Sequence, residues 1–234
     1  MAVNDALVFA TLSACFGPVD EGTWAETTAP AAWSEFLTAA RRLLQEVRPL
    51  SADSSPIEHA HVATPFSEYL TEAEVKALYA PPSFEEKRQF AARHFTGGLP
   101  ASAVPVESLY VAWTERECAL PFAERSGLYR SDAALYMSDL LASLGLEAPS
   151  ALSAYPDHLC VECAVTAHLI DAGMVDEACQ FWQERSAWLT DYRARLRRIG
   201  NEAGFYLALV DLMLGVRAAQ QSCADSLATS GHSA

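Results

Sequence analysis

Residues 155–170, Tyr-Pro-Asp-His-Leu-Cys-Val-Glu-Cys-Ala-Val-Thr-Ala-His-Leu-Ile, place two polar side chains directly before an almost wholly apolar run. Proline fits the first turn of a helix and aspartate is favoured there by the helix dipole, so Pro156 and Asp157 indicate a helix start. Residues 159–170 then predict a helix buried in a core. We expect Asp157 and His158 at its start to be oriented and accessible.

A second polar island, Pro-Val-Glu-Ser-Leu-Tyr at residues 105–110, lies in a segment that shows no helical period. Glu107, Ser108 and Tyr110 stand close to Trp113 in this loop. A carboxylate, a hydroxyl and aromatic rings suit the binding of an extended peptide or of its guanidinium groups. The alternative is a solvated loop in which Ser108 caps a helix.

Apolar residues at three- and four-residue steps predict helices on both sides of these islands. The predicted helical stripes cover residues 7–16, 33–47, 133–144, 159–170, 175–199 and 205–219. Two capping boxes mark two further helix starts, at Thr71 with Glu74 and at Ser83 with Glu86. The stripe that begins at Ala133 includes Tyr136 and Met137 and closes at Gly145.

No stretch of four to eight residues alternates as a strand does, so the sequence predicts an all-α protein. We expect a single helical-bundle domain over residues 1–222, with a hinge in the linker at about residues 145–156. Residues 51–65 are predicted to be an exposed loop. The composition of residues 223–234 predicts a disordered tail.

The 234-residue chain carries 30 acidic and 16 basic side chains, a formal charge of −14. This excess argues against nucleic acid and against an anionic membrane surface as partners, and it favours a cationic one. The N-terminus has no basic segment typical of a signal peptide. The longest apolar run, residues 205–216, is interrupted by Asp211 and is shorter than the roughly 20 residues of a membrane span. We therefore expect a cytoplasmic protein without membrane insertion.

Six cysteines are scattered along the chain and are expected to be free thiols. Cys160-x-x-Cys163 has the spacing of half a zinc site, but no second ligand pair follows, so core packing is the preferred interpretation. The sequence has no phosphate-binding loop and no dinucleotide fingerprint. We expect neither a metal nor any other cofactor.

Asp157 and His158 allow three interpretations: a helix cap by Asp157, a ligand-binding pair, or a catalytic base with its orienting carboxylate. Neighbouring helical residues point about 100° apart, so Asp157 is badly placed to orient the ring of His158. No nucleophile elbow accompanies the pair, and we expect no enzyme activity. The run Arg193-x-Arg195-x-Arg197-Arg198 is interpreted as a solvated helix end, where cations complement the dipole.

The order and spacing of the two islands resemble the TorD/DmsD/NarJ family of cytoplasmic chaperones for molybdenum oxidoreductases. A helix ending in Gly-Leu lies between the islands, and a Trp- and Tyr-rich helix follows them, as in that family. The matching residues are Pro105, Ser108, Tyr110, Asp157, His158 and the pair Phe205-Tyr206. The resemblance extends from about Leu7 to Leu214.

The resemblance implies a helical bundle that binds the twin-arginine leader, or N-terminal region, of a molybdopterin oxidoreductase catalytic subunit. Such a chaperone assists cofactor insertion and folding of enzymes of the DMSO reductase family that serve anaerobic respiration. For the oligomeric state we expect a monomer, or a dimer with domains swapped across residues 145–156.

The peptide-binding residues implied are Glu107, Ser108, Tyr110, Trp113, Asp157 and His158. Glu107 and Asp157 are expected to meet the arginines of the leader, while Tyr110, Trp113 and the helix from Leu159 contact its apolar part. Two other classes stay open: a helical enzyme that uses His158 as a base, and a helical scaffold or regulator with an unrelated protein partner.

Overall fold

The computed structural model describes residues 3–46, 71–97, 102–114 and 123–230, and these ranges form ten α-helices and no strand. The prediction of an all-α protein is confirmed. The helices are α1 Val3–Phe16, α2 Glu21–Thr27, α3 Pro30–Glu46, α4 Glu72–Leu78, α5 Phe84–His94, α6 Asp132–Leu144, α7 Leu159–Asp171, α8 Val175–Arg185, α9 Leu189–Arg197 and α10 Gly204–Ser230. None of the described helices is both long and apolar enough to cross a membrane.

The centre of the fold is the packing of α1 against α7, which the sequence predicts as a buried helix. Ser13 Oγ donates a hydrogen bond to the backbone oxygen of Cys160 at 2.7 Å. A Cβ atom at Gly17 would lie 3.2 Å from both Cβ and Sγ of Cys160, and 2.9 Å from the backbone oxygen of Ser13. The end of α1 therefore reaches the start of α7 because residue 17 has no side chain.

Aromatic side chains fill the core between α1, α5, α8 and α10. Phe9 meets Trp182 edge-on at 4.9 Å, and Phe90 stacks on Tyr206 at 4.3 Å. Both geometries are favourable for aromatic pairs beyond the area that they bury. Cys160 and Cys163 are buried in the same core as free thiols, as the sequence analysis expects.

The local signals for helix ends are confirmed where they fall on described residues. Thr71 and Ser83 each accept from the backbone N–H three residues on, and Glu74 and Glu86 each accept from the cap in return. Gly145 ends α6 with φ 66°, the left-handed conformation that glycine adopts without strain. The end of the stripe at residue 47 and the loop at residues 51–65 lie outside the described residues.

Three features of the helices differ from the prediction. The stripe over 175–199 is two helices, α8 and α9, because the chain turns at residues 186–188 without glycine or proline. The short helix α2, capped by Asp20, is absent from the prediction. The last helix, α10, extends to Ser230, so residues 223–230 are helical where a disordered tail is predicted; residues 231–234 lie outside the described part.

The arginine run at the end of α9 is not a purely solvated helix end. Arg193 pairs with Asp211 of α10, and Arg195 Nε donates to the backbone oxygen of Ser102 at 2.7 Å. These arginines tie α9 to α10 and to the segment before the 105–110 island. The hinge within residues 145–156 stays a prediction.

Candidate functional site

The two polar islands, about fifty residues apart in sequence, are hydrogen-bonded to each other. Val106 and His158 form an isolated antiparallel bridge. Leu159 N donates to the backbone oxygen of Pro105 at 2.9 Å, and Glu107 N donates to the backbone oxygen of Asp157 at 3.0 Å. The islands and their immediate partners thus form one site, which we call the joint.

Asp157 holds the joint together with its side chain. Its Oδ2 accepts from the backbone N of Ser108 at 2.8 Å and also from the Ser108 hydroxyl. Ser108 Oγ lies 2.8 Å from Oγ of Ser131, the residue that caps α6. Asp157 therefore links the first island and α6 to the start of α7.

Of the three interpretations of this pair, a cap of α7 by Asp157 is wrong. The cap is His158, whose Nδ1 accepts from the backbone N of Cys160 at 3.2 Å. The expectation that this pair is accessible is also wrong, because Asp157 is 1% and His158 is 6% exposed. Ser108 lies inside a 3-10 turn, Glu107–Leu109, and does not cap it.

Glu107 forms a buried ion pair with Arg185 at the end of α8. Arg185 Nε donates to Glu107 Oε2 at 3.1 Å, and a terminal nitrogen of Arg185 donates to Oε1, so the ion pair is bidentate. The side chains of Glu107 and Arg185 are 4% and 18% exposed. The guanidinium carbon of Arg185 also lies 5.1 Å from the ring centroid of Tyr136 on α6, within cation–π distance.

Glu162 brings a second buried carboxyl group against Glu107. It is fully buried one turn into α7, and Trp188 Nε1 donates to its Oε2 at 3.3 Å. Burial raises the pKa of Glu162 well above its usual value, and the neighbouring charge of Glu107 adds to this increase. Burial also raises the pKa of Glu107, although the bond from Arg185 opposes the change. Glu107 is thus the carboxyl group that pairs with Arg185, and Glu162 lies beside it in a site where burial disfavours a second negative charge.

His158 is held in its neutral form. Burial, and then the positive charge of Lys87, lower the pKa of His158 to about 4. Lys87 is itself buried, with Nζ donating to the backbone oxygen of Gly17 at 2.7 Å. A neutral imidazole whose Nδ1 accepts a backbone N–H acts as a helix cap.

Tyr110 and Trp113 are the half-buried members of the predicted set. Tyr110 stacks on Trp188 at 5.2 Å, and its hydroxyl donates to the backbone oxygen of Val104 at 3.0 Å. Trp113 joins the loop to α6 through its backbone oxygen, which accepts from Asp132 N at 2.9 Å. All six predicted residues therefore lie at or beside the joint, and four of them are buried.

Sequence reasoning missed three residues of the joint: Glu162, Arg185 and Trp188. Glu162 has a sequence signal, since it is the sole acidic residue in the apolar run 159–170. A lone charge in a buried helix usually has a partner. Arg185 and Trp188 have no sequence signal. They reach the site at the break between α8 and α9, which no glycine or proline marks. In the described ranges, no group of three or more His, Cys, Asp or Glu side chains is placed to hold a metal ion.

These features define an all-α protein in which a buried acidic cluster ties two loops to the helices α6, α7 and α8. The family model described as nitrate reductase delta subunit matches residues 60–201, which is more than half of the chain. The chain belongs to this family, the TorD/DmsD/NarJ family of chaperones that act in the maturation of molybdoenzymes. No curated protein and no solved structure matches the chain significantly.

Proposed function

We propose that this chain is a system-specific cytoplasmic chaperone that binds the twin-arginine leader, or N-terminal region, of the catalytic subunit of a molybdopterin oxidoreductase. It retains that subunit until cofactor insertion and folding are complete, and then releases it for export or assembly. Family membership supports the general role. The acidic joint carries the proposal that arginine is what the chaperone recognises.

The joint is built to bind a guanidinium group. The carboxylate of Glu107 accepts two bonds from the guanidinium of Arg185, and the carboxyl group of Glu162 lies beside this ion pair. Two parallel hydrogen bonds to a carboxylate are the preferred geometry for arginine. A leader arginine reaches Glu107 by replacing Arg185, whose side chain is the most exposed part of this ion pair.

The net charge of the chain supports the same partner. A formal charge of −14 attracts a segment that carries adjacent arginines and repels anionic surfaces. Burial gives Asp157, Ser108 and His158 a positioning role, since they hold the joint in shape. Tyr110 and Trp113 keep part of their rings exposed beside it and are placed to contact the apolar part of a leader.

The proposal is tested by affinity purification of the tagged chain from its native cells under anaerobic growth, with mass spectrometry of the proteins bound. We expect the precursor of a molybdopterin oxidoreductase catalytic subunit. Its recovery should fall when the leader is deleted from the client, or when the two leader arginines are replaced by glutamine. If only proteins unrelated to molybdoenzymes are recovered, the proposal is contradicted, and a scaffold with another partner is favoured.

A further inference from the structure

Exposed apolar side chains are concentrated at the start of α6. In the described part of the chain, six large apolar side chains are more than a third exposed, and four of them lie within residues 128–136. These four are Leu128 (38%), Tyr129 (39%), Leu135 (59%) and Tyr136 (42%). Large exposed apolar side chains gathered in one short segment are a feature of interaction sites.

The helix places these side chains between two carboxylates. Asp132, Leu135, Tyr136 and Asp139 are spaced three and four residues apart, so they share one stripe of α6. The opposite side of α6 is buried through Ala133, Ala134, Met137 and Leu141. We call the outward stripe, together with Leu128 and Tyr129, the α6 face. The helix itself, residues 132–144, contains no basic residue, and the exposed Arg130 stands before its cap.

The α6 face is attached directly to the joint. The ring of Tyr136 lies against the guanidinium of Arg185, the partner of Glu107. The cap of α6, Ser131, contacts Ser108 through both hydroxyl groups. Tyr129 packs against Tyr155, two residues before Asp157, with ring centroids 5.1 Å apart. A ligand that covers the α6 face therefore reaches the edge of the ion pair.

We propose that the α6 face is the docking surface for the client's N-terminal segment. The apolar part of that segment packs on Leu135 and Tyr136, and a basic residue beside it meets the exposed Asp139, while Asp132 accepts a hydrogen bond from the Thr114 hydroxyl at 2.6 Å. This inference rests on the proposed function and assigns it a surface that the predicted site residues do not include. A segment docked there lies beside Arg185, the side chain that a leader arginine would replace.

Charge complementarity selects this occupant over a second copy of the chain. In a two-fold symmetric dimer the same patch lies on both sides of the interface. Asp132 and Asp139 would then be brought towards the same carboxylates of the other copy, in a chain that already carries a formal charge of −14. Like charges across an interface oppose association, whereas an arginine-bearing apolar segment is attracted.

The test is a titration of the purified full-length chain with a fluorescent synthetic peptide that contains two adjacent arginines followed by a leucine- and alanine-rich run. The variant is Leu135→Ser, which removes the most exposed apolar side chain of the face. The controls are Leu78→Ser and Met174→Ser, at two exposed apolar residues away from α6, with exposures of 41% and 38%. Thermal melting of each variant checks that it is folded before its binding is compared.

We expect Leu135→Ser to weaken peptide binding about tenfold, which corresponds to about 1.4 kcal/mol and to the loss of most of one leucine contact. The two control variants should bind as the wild type does. Asp139→Lys should also weaken binding, and more strongly at low salt. Replacement of both peptide arginines by glutamine should reduce the affinity of the wild type.

Two outcomes would overturn the proposal separately from the function. If the wild type binds the peptide and Leu135→Ser binds it equally well, the segment docks elsewhere while the proposed function stands. If Leu135→Ser changes only the mass of the particle in light scattering, the α6 face is a contact between copies. If the wild type does not bind the peptide, the arginine-recognition function and the docking surface both fail.

Discussion

The joint and the α6 face lie side by side and have opposite chemistry. The joint is rich in charged and hydroxyl groups and is closed to water, with Asp157 and Glu107 almost fully buried. The α6 face is rich in leucine and tyrosine and is open to water. In this region the polar groups are buried and stabilise the fold, whereas the apolar groups are exposed and can contact a partner. Polar side chains are more often exposed and apolar ones more often buried.

This inversion separates stability from recognition. A buried polar group is stabilising while its partners are present, and its loss leaves uncompensated charges or donors. An exposed leucine contributes little to folding and can be used for binding. Changes in the joint should therefore affect folding first, and changes on the α6 face should affect binding first.

The largest expected effect is the loss of the buried ion pair. Glu107→Ala leaves the guanidinium of Arg185 without its carboxylate and should lower the free energy of unfolding by about 3–5 kcal/mol. The control is Glu85→Ala, which breaks the exposed pair of Glu85 with Arg88 (2.8 Å) within α5. That pair is fully exposed and should contribute little to stability. Urea unfolding of both variants measures the difference, and equal losses would show that the joint does not stabilise the fold.

The next effect is a dependence of stability on pH that comes from His158. The folded protein holds the pKa of His158 at about 4, below the ordinary value of about 6.5, so the unfolded chain takes up the proton first. The part of the free energy of unfolding that depends on neutral His158 is complete above about pH 6.5 and is lost as the pH falls towards 4. Over this range it amounts to about 3 kcal/mol.

His158→Asn isolates this contribution. Asparagine keeps a side-chain acceptor for the N–H of Cys160 and does not titrate. The variant should therefore lose less stability than the wild type between pH 6.5 and pH 4. His168→Asn, an exposed change on the same helix, should follow the wild type. Identical pH profiles for His158→Asn and the wild type would show that His158 is not held neutral.

The smallest expected effect on folding lies on α6. Leu135→Ser should change the free energy of unfolding by no more than about 0.5 kcal/mol, because the side chain is already exposed. Leu141→Ser, on the buried side of the same helix, should cost about 2–5 kcal/mol. Thermal or urea unfolding compares them. A cost at Leu135 equal to that at Leu141 would mean that the α6 face is part of the core.

Local signals in the sequence predict most of the fold. The capping boxes at Thr71 and Ser83 and the glycine stop at Gly145 act within one helical turn, so their effect is independent of the rest of the chain. The helix break before Trp188 has no such local mark. It is fixed by tertiary packing that places Trp188 against Glu162 and Tyr110.

The site is predicted only in part, because local patterns locate its residues but do not show their tertiary partners. The six residues of the two islands lie together as expected, but their burial depends on partners far away in sequence. Ser108 and Asp157 are 49 residues apart, and Glu107 and Arg185 are 78 apart. Tyr136 fits the apolar stripe of α6, yet it is 42% exposed and contacts Arg185 of α8. A single sequence does not specify such long-range pairs.

The most direct test of the account is hydrogen–deuterium exchange of the full-length chain with and without the arginine-bearing peptide. The account predicts slower exchange in α6 and in the residues just before it when the peptide is bound. A separate cavity, of about 410 Å³, serves as the comparison and is lined by Phe90, Arg93, Glu202 and Phe205. The backbone amides of these residues should exchange at the same rate with and without the peptide. Protection confined to that cavity, with α6 unchanged, would contradict the claim that the α6 face receives the client.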